Sequence, residues 1–339
     1  MDAVDRWLEP LTHEQARDVM GSILRGEQSP DAIKQFLLDY NAREVTPEEL
    51  SGFLQAVRDA ATALDLPSEI ASRAIDIVGT GGDKSGSVNV STMAALVVAG
   101  AGVPVCKHGN RSASSKSGTA DVLEALGARL ELSPQAVVRC VASTGFGFVF
   151  AQRFHPAFRF VGPVRRELGV PTIFNLLGPM ANPAAVAFML VGVADSRRMA
   201  TMATALAQRT TASLIVHGHG GLDELSLAGP NHTIATKNGS VQAGDTIDAR
   251  ELGIARASND ELRGGDPAHN AQVVRDVLGN KLQGPIRDVV LLNAAVALRV
   301  CGAASSLSVG AALADASIVS GAARTVLESF LVETQRDDD

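Results

Sequence analysis

The stretch "AIDIVGTGGDKSGSVNVSTMAALVVAG", residues 74–100, decides the fold. Ala74 to Val78 is a short apolar run entering a glycine cluster, the pattern of a buried parallel strand. From Ser91 the chain reads as a closely packed, alanine-rich helix. Strand, polar glycine loop and helix in that order form one unit of an α/β sheet. The loop falls short of two familiar phosphate motifs. A P-loop needs glycine directly before its Lys-Ser, and here Asp83 precedes Lys84-Ser85. A dinucleotide fingerprint opens with Gly79 and Gly81 but would close on glycine where Lys84 stands. The physics of such loops survives. Gly79, Gly81 and Gly82 permit positive φ and close approach to main-chain N–H groups. Asn89, Ser91 and Thr92 lead into a helix N-terminus, a ready place for an anion. Taken alone, a glycine turn with an N-cap and no ligand explains the loop equally well. Asp83 is odd in an anion loop unless a sugar hydroxyl or a metal faces it.

Further along, the same grammar recurs. Val103–Lys107 reads as a second strand, followed by "KHGNRSASSKSGTAD" (107–121) and a helix ending at Gly127. This loop carries Lys107, His108, Arg111 and Lys116 among serines, the donor set for phosphate. Two such loops on neighbouring strands imply a ligand with phosphate at two ends. Strands are also expected at 146–151, 186–193 and 212–218, with a helix between the last two. After the last comes "GHGGLDELS" (218–226), where Asp223-Glu224 at a strand's carboxyl end suits Mg²⁺. A bare acidic helix start is the default for such a pair. His217 and His219 lack a third ligand at zinc spacing and read as loop residues. Residues 233–244 read as a hairpin around Asn238-Gly239, so part of the sheet is antiparallel.

Before Ala74 the signals are helical. Thr12 with Gln15 and Thr46 with Glu49 form capping boxes, and Ser29-Pro30 starts another helix. From about Asp266 the chain is helical again, and Asp337–Asp339 reads as a frayed tail. The expected fold class is α/β. A small N-terminal helical domain (1–72, joined by helices from about 155–185) precedes a large domain (73–339) with a mostly parallel sheet flanked by helices.

Composition narrows the function. The net charge of −7 argues against broad nucleic-acid binding, which needs a basic face. Any polyanion held here is small and sits in a local pocket. The three scattered cysteines, Cys106, Cys140 and Cys301, suit neither a disulfide scaffold nor zinc. They read as small buried hydrophobes. No apolar run reaches the ~18–20 residues of a membrane span, and no secretory signal is visible, so a soluble, cytoplasmic protein is expected.

The three loops, with "HPAFRFVGPVRRELGVPTIFNLLGP" (155–179), together resemble the anthranilate phosphoribosyltransferase family, over nearly the whole chain. The resemblance implies a homodimeric enzyme of tryptophan biosynthesis. Its substrates are 5-phosphoribosyl pyrophosphate (PRPP) and anthranilate, its cofactor Mg²⁺. Carried over residue by residue, Gly79, Gly82, Asp83 and Ser87 match the first PRPP loop. Asn89, Val90, Ser91 and Thr92 match the helix start. Lys107, His108, Gly109, Asn110, Arg111, Ser112, Ala113, Ser114 and Ser115, with Thr119, match the second loop. Ser91, Asp223 and Glu224 match the metal ligands, and Lys107, Asp83, Asp223 and Glu224 the catalytic set. Gly79, Asn110 and Arg165 match anthranilate contacts, with His108, His155 and Pro156 walling its path. Met180-Ala181 stand where the family suggests Leu-Thr, a matter of packing. Two rivals remain at this point: a pyrimidine nucleoside phosphorylase, and a non-catalytic nucleic-acid-binding relative.

Overall fold

In the computed structural model of the chain, residues 9–112 and 116–337 are described. Ala113, Ser114 and Ser115 of the second loop lie outside them. The N-terminal helices begin where their capping residues put them. In α1 (His13–Leu24) and α3 (Pro47–Asp59), Thr12 and Thr46 accept the N–H three residues on, and Gln15 and Glu49 reach back. Ser29 caps α2 (Pro30–Ala42), with Pro30 in its first turn. The apolar faces close on a cluster of Phe36, Tyr40 and Phe53, ring centroids 4.7–5.6 Å apart.

Glu49 does more than cap. It is 0% exposed and accepts from Leu11 N–H, the Tyr40 hydroxyl, Thr46 N–H and Arg43. Burial alone would push its carboxyl up, but Arg43, the two backbone N–H groups and Tyr40 together hold it at about 2. This folded value lies below the ordinary carboxylate value, so the ionised group stabilises the bundle at neutral pH. That contribution is lost as pH falls from about 4.3 toward 2. Glu49→Ala strands all four donors. Urea denaturation at pH 7 should show a loss of about 3 kcal/mol; a loss within ~0.5 kcal/mol would show that water satisfies those donors.

After the short α4 (Ser68–Ala71) the sheet begins. Its strands are β1 (Ile75–Gly79), β2 (Val105–Gly109), β3 (Phe146–Phe150), β4 (Phe188–Gly192), β5 (Ala212–His217), β6 (Asn231–Lys237), β7 (Ser240–Val241) and β8 (Asp245–Ile247). Among the described residues they form one sheet in the order β3-β2-β1-β4-β5-β6-β7, with β8 also on β6. The pairings from β3 across to β5 are parallel, and β6, β7 and β8 are antiparallel. The parallel strands are largely buried and mostly apolar, as a sheet covered on both faces requires, with Asp76 on β1 and Lys107 and His108 on β2 as the polar exceptions.

The helices between and after them are α5 (Val90–Gly100), α6 (Thr119–Leu126), α7 (Pro134–Thr144), α8 (Ala151–Phe154), α9 (Gly162–Leu168) and α10 (Ile173–Met180), then α11 (Met199–Ala207), α12 (Pro267–Leu278), α13 (Pro285–Val300), α14 (Leu307–Val319) and α15 (Ala322–Glu333). α5 is buried along nearly all its length against α13, α14, α15 and β1 to β3. α9 and α10 pack back onto α2 and α3, where Lys34 pairs with Glu167 and Asn41 donates to the Pro171 carbonyl.

The strand order has a functional consequence. From β1 the chain winds outward through β2 and β3. It then returns to the other side of β1 with β4 and continues to β5. The winding reverses between β1 and β4, and in open α/β sheets ligands bind at the carboxyl ends of strands at such a point.

The structure differs from the sequence reading in detail. β8 was not expected; it is three residues long and carries no alternating signature. His217 is the last residue of β5, its Nδ1 on the Val193 carbonyl at 2.8 Å. Of the expected tail, Asp337 is tied down by Arg139, which donates to its carbonyl, beside Arg129 on the Thr334 and Arg336 carbonyls, while Asp338 and Asp339 lie outside the described residues. Cys106 and Cys140 are buried, while Cys301 is only half-buried. Met180 and Ala181 are fully buried, as a packing role requires. The hairpin turns at Asn238-Gly239, both at positive φ.

Candidate active site

Three loops leave the carboxyl ends of β1, β2 and β5 and surround one cavity of about 600 Å³. Asp83, Lys107, Asp223 and Glu224 all line it. So do the other expected site residues among those described, except Val90, Thr92, Arg165, His155 and Pro156. Val90 and Thr92 are fully buried behind the wall at the start of α5.

The glycines of the first loop serve two different needs. Gly81, Gly82 and Gly86 take positive φ, and so does Lys84, at 58°. Gly79 does not. It is glycine because a Cβ there would run into the Asp223 carboxylate. Its neighbour across the sheet is Gly192 at the end of β4, where a Cβ would strike the Asp223 carbonyl. These two glycines open the slot at the switch point through which residues 223–224 return over the sheet. Gly192 escaped the sequence reading because nothing near it in the chain reveals the crossing segment.

That segment is fixed at both ends. Asp223 Oδ2 accepts Gly81 N–H at 2.6 Å, and Glu224 Oε1 accepts Ser91 N–H at 3.0 Å. Behind them Asn293 of α13 clamps Leu225 through both its N–H and its carbonyl. Burial pushes the Asp223 carboxyl up to about 7, and Asp83 beside it acts in the same direction. Burial and Asp223 raise Glu224 as well. Glu224 Oε2 is buried without a hydrogen-bond partner among the described residues. Two crowded, desolvated carboxylates with an orphan oxygen are the donor set of a hard divalent cation. No cluster of three or more His, Cys, Asp or Glu able to hold a metal occurs among the described residues. A cation held by Asp223, Glu224 and the Ser91 hydroxyl would therefore complete its shell with water and ligand oxygens, the habit of Mg²⁺.

Lys107 is 1% exposed. Its ammonium donates to the Ile77 carbonyl and, at 3.3 Å, to Ser91 Oγ. Burial lowers its pKa, while Asp76, Glu224 and Asp223 oppose the shift. Asp76, fully buried on β1, accepts His108 N–H and the Asn182 amide, and Asn182 also donates to the Cys106 carbonyl. This polar bracket locks β1 to β2 beneath the site.

The second loop is less cationic than its composition suggests. Arg111 lies on the wall, but its guanidinium pairs with Glu124 and Asp121. His108 is buried with its pKa well below the ordinary value, its Nδ1 on the Gly178 carbonyl. His155 stands behind it, rings 5.1 Å apart, and burial lowers it to about 4. Both histidines are neutral at neutral pH. Arg165 meets the cavity only through Asn175, whose Oδ1 accepts from Nη2 at 3.3 Å. Asn175, Arg263 and Gly264 also line the cavity and went unread in the sequence.

Known proteins match on the same elements. Residues 71–324 match the glycosyl transferase family, a/b domain, and residues 3–61 match the helical bundle domain of that family. An anthranilate phosphoribosyltransferase of Salinispora arenicola is 48% identical over 317 residues, covering 92% of this chain and 89% of that protein. The crystal structure of the enzyme of that name from Thermus thermophilus superposes with a TM-score of 0.93 at 41% identity, covering 99% of this chain and all of the other. The Saccharomyces cerevisiae enzyme in complex with PRPP and Mg superposes with a TM-score of 0.87 at 28% identity, covering 96% and 93%.

Proposed function

This chain belongs to the anthranilate phosphoribosyltransferases, and we infer that its cavity joins PRPP to anthranilate between the loops just described. The reaction transfers the phosphoribosyl group to the anthranilate amine, giving N-(5-phosphoribosyl)anthranilate and pyrophosphate in tryptophan biosynthesis. The observation that supports this site most is the common cavity of Asp83, Lys107, Asp223 and Glu224 at the switch point.

The anthranilate amine is a usable nucleophile without a strong base. The demand falls on the leaving group and on a cation-like ribose C1. Mg²⁺, when bound, supplies Lewis-acid stabilisation of the departing pyrophosphate. The glycine-loop N–H groups other than that of Gly81, which Asp223 takes, hold phosphate oxygens, and Lys107 adds fixed positive potential from below. Asp83 accepts from ribose hydroxyls. Asn110 orients the aromatic ring at the cavity mouth. The N–C1 bond forms as the C1–O bond to pyrophosphate breaks, with inversion, and the amine's proton leaves to water. No covalent intermediate with the enzyme forms.

We assign Arg165 to the anthranilate carboxylate. In the structure it reaches the cavity only through Asn175, so the assignment requires its guanidinium to turn inward with substrate. The test follows loss of anthranilate fluorescence with PRPP and Mg²⁺. The wild-type signal should require both. Arg165→Ala should raise KM for anthranilate about tenfold or more and KM for PRPP less than twofold. Equal rises would make Arg165 a scaffold residue, and no turnover by the wild type would defeat the functional reading itself. A pyrimidine nucleoside phosphorylase would consume thymidine with inorganic phosphate and has no need of the acidic pair. A nucleic-acid binder has no need of it either.

We also propose that residues 1–72, with helices from 155–185, form a domain distinct from 73–339. The packing of α9 and α10 on α2 and α3 supports that division. A homodimer in the cytoplasm is part of the same proposal. No helix among the described residues is long and apolar enough to cross a membrane.

A further inference from the structure

Asn175 stands in the first turn of α10, and its amide oxygen is taken twice. Oδ1 accepts Thr172 N–H at 2.9 Å, a local bond at the start of the helix, and Arg165 Nη2 at 3.3 Å. A backbone N–H and a guanidinium can only donate, so the oxygen and not the nitrogen must face them. Nδ2 therefore lies on the opposite edge of the planar amide. There it donates to nothing among the described residues, and it is not sealed from solvent. The half-buried residue borders the cavity of Asp83, Lys107, Asp223 and Glu224, and a second cleft of about 520 Å³ that shares Thr80, Gly81 and Gly82 with it. An unspent amide donor, its plane fixed by a helix start, is thus presented where the two openings meet.

Arg165 is the other half of the arrangement. Its guanidinium lies 5.4 Å from the Phe174 ring centroid and has no acidic partner among the described residues. Burial lowers its pKa, and no carboxylate opposes the shift. A guanidinium stays charged all the same, so a half-buried one without a counter-ion is a place for an anion. We propose that Asn175 contacts the anthranilate carboxylate directly: Nδ2 donates to one carboxylate oxygen, and Oδ1 holds the Arg165 guanidinium beside the site until the substrate's charge draws it in. The inference rests on the assignment of Arg165 to that carboxylate and adds a second, neutral donor to it. If Asn175 only restrained Arg165, removing its side chain would free the arginine and help the substrate. A donor to the carboxylate is missed when it is removed.

The test uses the full-length enzyme with Asn175→Ala and with Asn175→Asp. Asp fills the same volume and keeps an acceptor for Thr172 N–H, but it lacks the donor and sets a like charge against the carboxylate. KM for anthranilate should rise about fivefold or more in Asn175→Ala and about tenfold or more in Asn175→Asp, with KM for PRPP within about twofold in both. Asn175→Asp should melt with the wild type, which separates binding from the helix start. Adding Arg165→Ala to Asn175→Ala should raise the constant by less than the product of the single effects, since both donors serve one carboxylate. An unchanged or lower KM for anthranilate in Asn175→Ala would make Asn175 a mere restraint and overturn the inference. Equal rises in both Michaelis constants, or a fully multiplicative double variant, would overturn it too. If Asn175→Ala does not fold, an anthranilate KM within about twofold in Asn175→Asp overturns it alone. Failure of this kind leaves the effect of Arg165→Ala in place. If Arg165→Ala itself spares KM for anthranilate, the assignment of that arginine falls and takes the inference with it.

Discussion

Replacing both acidic residues, Asp223→Asn with Glu224→Gln, is expected to lower kcat/KM by about 10³-fold or more while making the ligand-free protein more stable. The two effects share one cause. Each carboxylate is desolvated beside another acid, so the slot is electrostatically strained until a cation neutralises it. The pH dependence follows in sign. The Asp223 carboxyl, at about 7 when folded, holds a proton that the unfolded chain releases near the ordinary value of about 3.9. Its stabilising contribution is complete below the unfolded value and is lost as pH rises through 7. In EDTA, the wild type should therefore have a lower melting temperature at pH 8 than at pH 6, and the amide variant should lose most of that difference. Melting temperature and fluorescence turnover on the same preparations decide the matter. Retained turnover would remove the metal assignment. A variant less stable than the wild type at pH 8 would show that the pair is structural.

Gly192→Ala should be nearly as damaging, although Gly192 touches no substrate. Its Cβ would collide with the Asp223 carbonyl and crowd Glu224 N–H. β4 lies between β1 and β5 in full register and cannot step aside, so the loop must move instead. A displacement of about 1 Å at a positioned group costs on the order of 10²-fold in rate. The expected result is a fall of that size in kcat/KM, with Mg²⁺ half-saturation shifted upward in proportion. Ala at the neighbouring Val191 leaves the slot open and serves as control. A drop in kcat/KM with an unchanged Mg²⁺ requirement would mean that the slot does not position the pair.

Much of this site could be read before any coordinates, because its signals are local. The capping boxes at Thr12 and Thr46 and the glycine turn at 79–82 lie within a few residues of the atoms they serve; the acidic pair at 223–224 shows in the sequence as a pair, but its partners Gly81 and Ser91 are remote. What could not be read depends on tertiary approach. Gly192 looks like any strand glycine until a segment 31 residues later crosses it. Asn270 and Asn293 sit in helices whose partners, Asn89 and Leu225, are remote in sequence, and Asn293 is set in an apolar run. Composition misled at Arg111, whose charge is taken by Glu124 and Asp121 on the helix that follows. Gly79 was given the right residue and the wrong reason: it makes room for a carboxylate, not for a left-handed turn.

The claim on which all of this depends is that one cation, gripped by the 223–224 pair, lets three loops hold a single sugar diphosphate. Its most direct test is the binding arm of the first experiment, calorimetric titration of PRPP into the wild type and into Asp223→Asn with Glu224→Gln, each in Mg²⁺ and in EDTA. The account predicts one PRPP per chain, Mg²⁺-dependent in the wild type and at least about tenfold weaker in the variant. Equal PRPP affinity in all four titrations would contradict it.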